Sequence, residues 1–252
     1  MRMQTEALQT RPRRYILSER PDTSACQMCE VRGRGLCSTL SDTELDALAL
    51  ISERVKLSSA QIFIEEDAPA RYFYNVTSGM VKLYRSLPDG RRQITGFAGP
   101  GHFLGLAAVK TYGFGAETIE DSRVCRFSRT DFSRITQQYP NLERRLLAEA
   151  SHELVIANDQ MLLLGRKTAR ERVASFLLAR LEEDFGRVIP EMPQLHLPMI
   201  RNDIADFLGL TVETVSRTLS WMRKENMILS GRDHSITIMA PDRLEALAQL
   251  TL

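Results

Sequence analysis

The 252-residue chain is poor in cysteine, with four, has a single tryptophan, and carries almost no surplus of either charge, with 33 Lys and Arg against 32 Asp and Glu. Nowhere does it run to about 18 consecutive apolar residues, the length a membrane-spanning helix needs. Its first 25 residues, MRMQTEALQTRPRRYILSERPDTSA, contain arginines but not the apolar stretch of a secretory signal. These absences exclude a disulfide-framed secreted scaffold, a helical membrane protein and a uniformly basic nucleic-acid binder. They place the chain in the cytoplasm, where thiols stay reduced, and they require any basic surface to be local. With 43% hydrophobic residues, the chain can bury one large core or two modest ones.

What is present is unevenly distributed. Cys26, Cys29 and Cys37 share the short stretch TSACQMCEVRGRGLCSTL, and Cys125 stands alone in SRVCRF. In a reducing compartment, clustered thiols point to a metal or redox site rather than to disulfides. Four thiolates equal the ligand count of a [4Fe-4S] centre, and three on one flexible loop can close over a fourth held by a rigid sheet. Zinc accepts the same four sulfurs, although its structural four-cysteine sites commonly pair two close couples. A thiol-redox site, or a Cys125 that is simply a small buried hydrophobe, stays open beside these.

Periodicity divides the chain. Residues 1–25, polar and proline-interrupted, are expected to form a mobile arm. In SDTELDALALI, Ser41 is the expected N-cap of a short helix, with Glu44 completing a capping box and Leu45, Leu48 and Ile51 on one side. From about residue 60 come short β-branched and aromatic segments, QIFIEE, RYFYNV, GMVKLYRSL, RQITGFA and SRVCRFSR, separated by turns such as Pro88-Asp89-Gly90. They predict an all-β roll or barrel. After Pro140 the pattern becomes helical for some 25 residues. Leu147, Ala150, Leu154, Ala157, Met161 and Leu164 form an unbroken apolar seam suited to the chain's own domain. Half a turn round lies a mixed stripe, Leu142, Arg145, Glu149, His152, Ile156, Asp159, Leu163 and Arg166, with Ile156, Asp159 and Leu163 spaced to face a second copy.

The C-terminal third holds LPMIRNDIADFLGLTVETVSRTLSWMRKENMI. Ile204, Ala205 and Leu208 make one apolar helix face, Gly209 supplies a turn, and Thr211 caps a second helix whose Val212, Val215, Leu219 and Met222 face inward. Glu213, Ser216, Arg217 and Ser220 then face outward, where a helix-turn-helix reads base edges in the major groove, and Thr211 at the helix start is expected to contact DNA with them. Arginine can take guanine bidentately, glutamate can accept from cytosine, and serine fits against thymine. MILSGRDHSITIM follows as a β-hairpin wing.

With these pieces in order, the sequence resembles the CRP/FNR family of transcription regulators, most closely its FNR branch and the FnrN/FnrL type within it. The resemblance implies an α+β fold: an N-terminal β-roll (a double-stranded β-helix or jelly roll), a long dimerisation helix and a C-terminal winged helix-turn-helix. The implied domains are an arm and cysteine loop at 1–40, a sensor roll at 41–139, the dimerisation helix at 140–167 and the DNA-binding domain at 168–252. It further implies that Cys26, Cys29, Cys37 and Cys125 ligate an oxygen-labile [4Fe-4S] cluster. The cluster-loaded homodimer would bind a palindrome resembling TTGAT, four free positions, ATCAA, and activate RNA polymerase. Asp159, facing its own copy, would hold the cluster-free form apart. GHFLGLAAVKTYGFGAETIE lacks the phosphate cassette of members that bind cyclic nucleotides, so no such effector is expected, and His102 is taken as a surface residue rather than a haem ligand. No nucleophile–base constellation supports an enzyme, and iron–sulfur electron transfer is the remote alternative.

Overall fold

The β-branched and aromatic segments between residues 52 and 128 fold as two four-stranded antiparallel sheets. The computed structural model describes residues 24–249 apart from 108, 109, 187 and 232, so the arm expected at 1–25 lies outside the described residues except for its last two. One sheet has the order β1 (Ser52–Leu57), β8 (Ser122–Ser128), β3 (Tyr72–Ser78), β6 (Phe103–Leu104). The other has the order β2 (Ile62–Ile64), β7 (Gly115–Thr118), β4 (Val81–Ser86), β5 (Arg92–Ala98). Val55, Leu57, Phe63, Tyr74, Val76, Val81 and Val124 fill the space between them. This is the expected roll; the sequence pattern did not single out β1, β6 or β7.

Ahead of the roll lie one helical turn, α1 (Ser24–Gln27), a 3₁₀ turn at Gly35–Thr39, and α2 (Asp42–Ile51). The capping box of α2 forms as expected: the Glu44 amide donates to Ser41 Oγ at 3.4 Å and the Glu44 carboxylate accepts from the Ser41 amide at 2.8 Å. After the roll, α3 (Arg129–Gln138) leads into α4 (Pro140–Arg166), which starts with proline in its first turn, where no amide is needed. Its 27 residues span about 40 Å at 1.5 Å per residue.

The burial of α4 corrects the expected assignment of its two stripes. Leu147, Leu154 and Met161, expected against the chain's own domain, are 65–69% exposed. The mixed stripe is the one anchored, and only at its ends: Leu142 is wholly buried beside the roll, and Leu163 is 8% exposed in the core of the C-terminal domain. Leu163 is therefore occupied by its own chain rather than turned to a second copy. Every residue from 151 to 159 is exposed, Ile156 and Asp159 among them. The helix bridges two domains and rests on neither in between.

The C-terminal part comprises α5 (Ala169–Phe185), β9 (Gln194–His196), α6 (Arg201–Leu208), α7 (Val212–Lys224), β10 (Ile228–Ser230), β11 (Ser235–Ile238) and α8 (Pro241–Gln249). The expected wing is present as β10–β11, closed by Gly231 N–H to the Ser235 carbonyl at 2.9 Å; Arg232 of its turn lies outside the described residues. A third strand, β9, pairs with β11 and was too short to be legible in the sequence.

Roll and C-terminal domain share one core. Met80, Tyr84, Ile94 and Phe97 from β4, β5 and the turn before them join Phe176, Leu177, Leu208 and Val215 in a single buried cluster. Phe97 meets Phe176 at 6.1 Å and Phe207 at 5.3 Å between ring centroids, within the range of favourable aromatic pairs. Replacing Phe97 with alanine is expected to cost about 3–5 kcal/mol and to split a single thermal transition into two as the domains uncouple. Calorimetry checks this: a single transition at the wild-type temperature would show that the interface carries no such weight.

Candidate functional site

The four cysteines converge. α1 and the turn after it bring up Cys26 and Cys29, whose amide bonds back to the Cys26 carbonyl at 3.4 Å. Cys37 sits in the 3₁₀ turn, and Cys125 on β8, in register with Arg54 of β1 and Asn75 of β3. All four line one pocket, with Leu45, Leu48 and Phe127 on its apolar side and Arg32, Asn75 and Thr77 at its polar margin. All four are free thiols. Burial, and then the neighbouring sulfurs of Cys26 and Cys29, push Cys37 up to about 12; burial and the other three sulfurs do the same to Cys125. Burial also raises Cys26, against the pull of the Arg54 guanidinium beside it. Cys26, Cys37 and Cys125, placed as they are, ionise together only when a cation offsets their burial and mutual repulsion.

The donor set, four soft sulfurs around one pocket with an arginine nearby, fits an iron–sulfur core or zinc by its chemistry. Among the described residues, no three His, Cys, Asp or Glu side chains gather closely enough to cage a single ion as they stand.

The 3₁₀ turn carrying Cys37 is held from two sides. At Gly35, with φ +54°, an added Cβ would stand 1.9 Å from the Gly101 carbonyl oxygen, so only glycine lets the cysteine loop lie on the roll there. From the other side Arg145 of α4 donates through Nη2 to the Gly35 carbonyl at 2.9 Å and pairs with Glu149 at 2.9 Å. Leu36, beside Cys37, is buried in one cluster with Leu142 of α4. The sequence reading placed Arg145 and Glu149 on the mixed stripe but gave no sign that they meet the cysteine loop.

The second site is the face of α7. Gly209 adopts φ +60° as the cap of α6, and the Thr211 hydroxyl accepts from the Thr214 amide at 3.2 Å. Val215, Leu219 and Met222 are buried, whereas Glu213, Ser216 and Arg217 are exposed. Ser220 is half-buried, its hydroxyl accepting from Arg223 at 2.9 Å. Thr211 thus has a capping role, and the expectation of base reading rests on the exposed Glu213, Ser216 and Arg217, the last donating to the Thr214 hydroxyl at 3.4 Å. The Glu213 carboxyl is held below its ordinary range, first by its own backbone amide at the helix start and then by Thr211. Arg170 of α5 stacks over the Trp221 ring at 4.0 Å. That neighbour of the reading face was missed, and the single tryptophan was its one available signal.

Arg217→Ala is expected to cost about 1–3 kcal/mol of DNA affinity and to relax preference at one guanine per half-site. Binding titrations on duplexes varied at that base decide it; an equal loss on every sequence would assign Arg217 to phosphate instead.

Residues 54–139 match the cyclic nucleotide-binding domain family and residues 171–247 the Crp-like helix-turn-helix domain family. The nitrogen fixation regulation protein FixK of Bradyrhizobium diazoefficiens is 41% identical over 90% of this chain and 95% of its own. The transcriptional activator protein FnrL of Cereibacter sphaeroides is 34% identical over 84% and 87%. The solved structure of FixK2 from Bradyrhizobium japonicum superimposes with a TM-score of 0.74 at 36% identity, covering 81% of this chain and all of that one. A roll, a bridging helix and a winged helix-turn-helix, matched along nearly their whole length to such regulators, make this chain a member of the CRP/FNR family, a DNA-binding transcriptional activator and not an enzyme.

Proposed function

We propose that this activator is oxygen-responsive and that Cys26, Cys29, Cys37 and Cys125 hold a [4Fe-4S] cluster. The observation that carries this reading is the convergence of all four cysteines of the chain on one pocket. When bound, the cluster supplies an oxygen-labile, multiply charged link among the four sulfurs, which nothing else in the pocket provides. The chain's own residues convey that link to the rest of the protein. Gly35 and Gly101 lay the Cys37 turn on the roll, and Arg145 ties the same turn to the first part of α4. A shift of the cysteine turn therefore pulls directly on the helix whose middle stands exposed.

That exposed stretch supports a homodimer. Leu154, Val155, Ile156, Met161 and Leu162 are 42–68% exposed on one helix, more apolar surface than a solitary helix leaves in water without a partner. Asp159 lies among them, and two such carboxylates brought together across a twofold seam oppose association. The dimer would present two α7 helices about 34 Å apart to an FNR-type palindrome of double-stranded DNA. It would meet RNA polymerase through the exposed β4–β5 turn, where the Gly90 amide closes on the Leu87 carbonyl at 2.9 Å. No cyclic nucleotide is required: Tyr74 and Tyr112 occupy the roll interior, and the Tyr112 hydroxyl donates to the Tyr72 carbonyl at 2.7 Å. No helix among the described residues is long and apolar enough to cross a membrane, and work on DNA supports a cytoplasmic location.

Protein purified without oxygen is expected to contain about four iron per chain and to absorb broadly near about 400 nm. Cys125→Ser should abolish both signals. Colourless protein with stoichiometric zinc would replace the cluster with a zinc site, and metal-free protein with a reversible disulfide would replace it with a thiol switch. Asp159→Ala is expected to be dimeric and to bind DNA in air. Sedimentation tests that: a variant as monomeric in air as wild type, where oxygen-free wild type is dimeric, would remove Asp159 from the mechanism.

A further inference from the structure

Helix α6 ends on carbonyls that its own backbone cannot satisfy, as every α-helix does. Here the donors come from three other elements. Gln93 of β5 donates to the Asp206 carbonyl and, at 3.4 Å, to that of Phe207. Gln160 of α4 donates to the same Phe207 carbonyl at 2.9 Å. Arg172 of α5 donates to the carbonyls of Leu208 at 2.8 Å and Gly209 at 3.3 Å. One residue beyond Gly209 and Leu210, Thr211 caps the recognition helix. The roll, the bridging helix and α5 thus all grip the short turn from which α7 springs.

We propose that the carbonyl end of α6 is the junction at which the roll and α4 set the attitude of the recognition helix, with Gln93 and Gln160 as the positioning residues and Arg172 as the fixed anchor. Arg172 belongs to the helix continuous with the C-terminal core and also caps the end of α4, through Nε to the Lys167 carbonyl and Nη2 to that of Leu164, both at 2.8 Å. It holds the junction whatever the roll does. The two glutamines differ in this respect. Each sits on an element outside the C-terminal domain, and each donates through one neutral side-chain amide, Gln160 to the Phe207 carbonyl and Gln93 shared between those of Asp206 and Phe207, so that it can slide along or leave an acceptor at small cost. Gln160 follows Asp159 directly, so a second copy packed on the exposed part of α4 bears on the residue next to the one that touches the turn. Gln93 lies on the strand that carries Ile94 and Phe97 into the shared core. Both donors reach the Phe207 carbonyl, so displacement of either alters the bonding of the other.

The inference rests on the dimeric, palindrome-reading protein proposed above, and its test separates the two. Gln93→Met and Gln160→Met keep the length of each side chain and remove its donor. At concentrations where wild type sediments as a dimer, each variant is expected to stay dimeric and to melt near the wild-type temperature. Each should bind a duplex bearing one half-site as wild type does and a two-half-site palindrome about tenfold more weakly, the effect of one net hydrogen bond lost in each protomer. The double variant should lose less than the product of the single losses, because the donors share an acceptor. Gln160→Glu, which sets a carboxylate against the carbonyl, should lose more than Gln160→Met and gives the answer if the methionine variant folds poorly. Equal losses on half-site and palindrome would mean a merely loosened domain and would overturn the junction, as would no loss on either. A wild type that binds the palindrome no better than the half-site would overturn the dimeric reading and the junction with it.

Discussion

Everything the C-terminal domain does depends on the packing of Phe97 against Phe176 and Phe207, because that contact makes the roll and the winged helix one body. Tyr84, Ile94 and Phe97 leave the roll's own interior to others and enter the core of its neighbour. With the domains joined there, α4 is free of holding them together and can carry an uncovered middle. Lys82 adds direction to the contact. Its ammonium lies 3.1 Å from Asp203 of α6 and 3.3 Å from Glu117 of β7, with all three side chains largely buried. Such a bridge offsets most of its own desolvation and fixes the register of the interface more than it strengthens it.

The cysteine pocket obeys the opposite logic. Burial makes ionisation of Cys37 and Cys125 costly, and apolar Leu45, Leu48 and Phe127 line the pocket beside them. Three of them ride on a loop tied down at Gly35, and the fourth is fixed in the middle of a sheet between β1 and β3. Whatever binds there has one rigid wall to meet and one wall to order.

The roll, the long helix, the helix-turn-helix and the wing were all legible in the sequence, because each has a period or a turn residue that only one structure satisfies. Gly209 at φ +60° and the Ser41–Glu44 capping box are such signals. The grouping of the thiols could be anticipated from their number, since four is a complete ligand set. What the sequence did not carry is anything decided by long-range packing. The two stripes of α4 have similar spacing, and only the anchoring of Leu142 and Leu163 at opposite ends shows which is engaged by the chain itself. Strands β6 and β9 are two and three residues long, below the length at which alternation is visible. Gln93, Arg145 and Gln160 act on backbone carbonyls distant in sequence, and a carbonyl leaves no trace in residue identity.

Arg172 bonds to four backbone carbonyls drawn from the ends of two helices, α4 and α6. Two helix termini of like, negative polarity face each other across that side chain, and its delocalised charge keeps them together. The planar fork supplies donors in several directions at once, which a lysine ammonium, a compact point of charge on a flexible stem, does not reproduce. The position is thus closed even to the mildest exchange of one cation for another, whereas the exposed centre of α4 a few residues away is free to vary in any way that keeps its helix. Divergence within a population of such chains would accordingly be channelled away from the hinge and onto the helix surface between the domains.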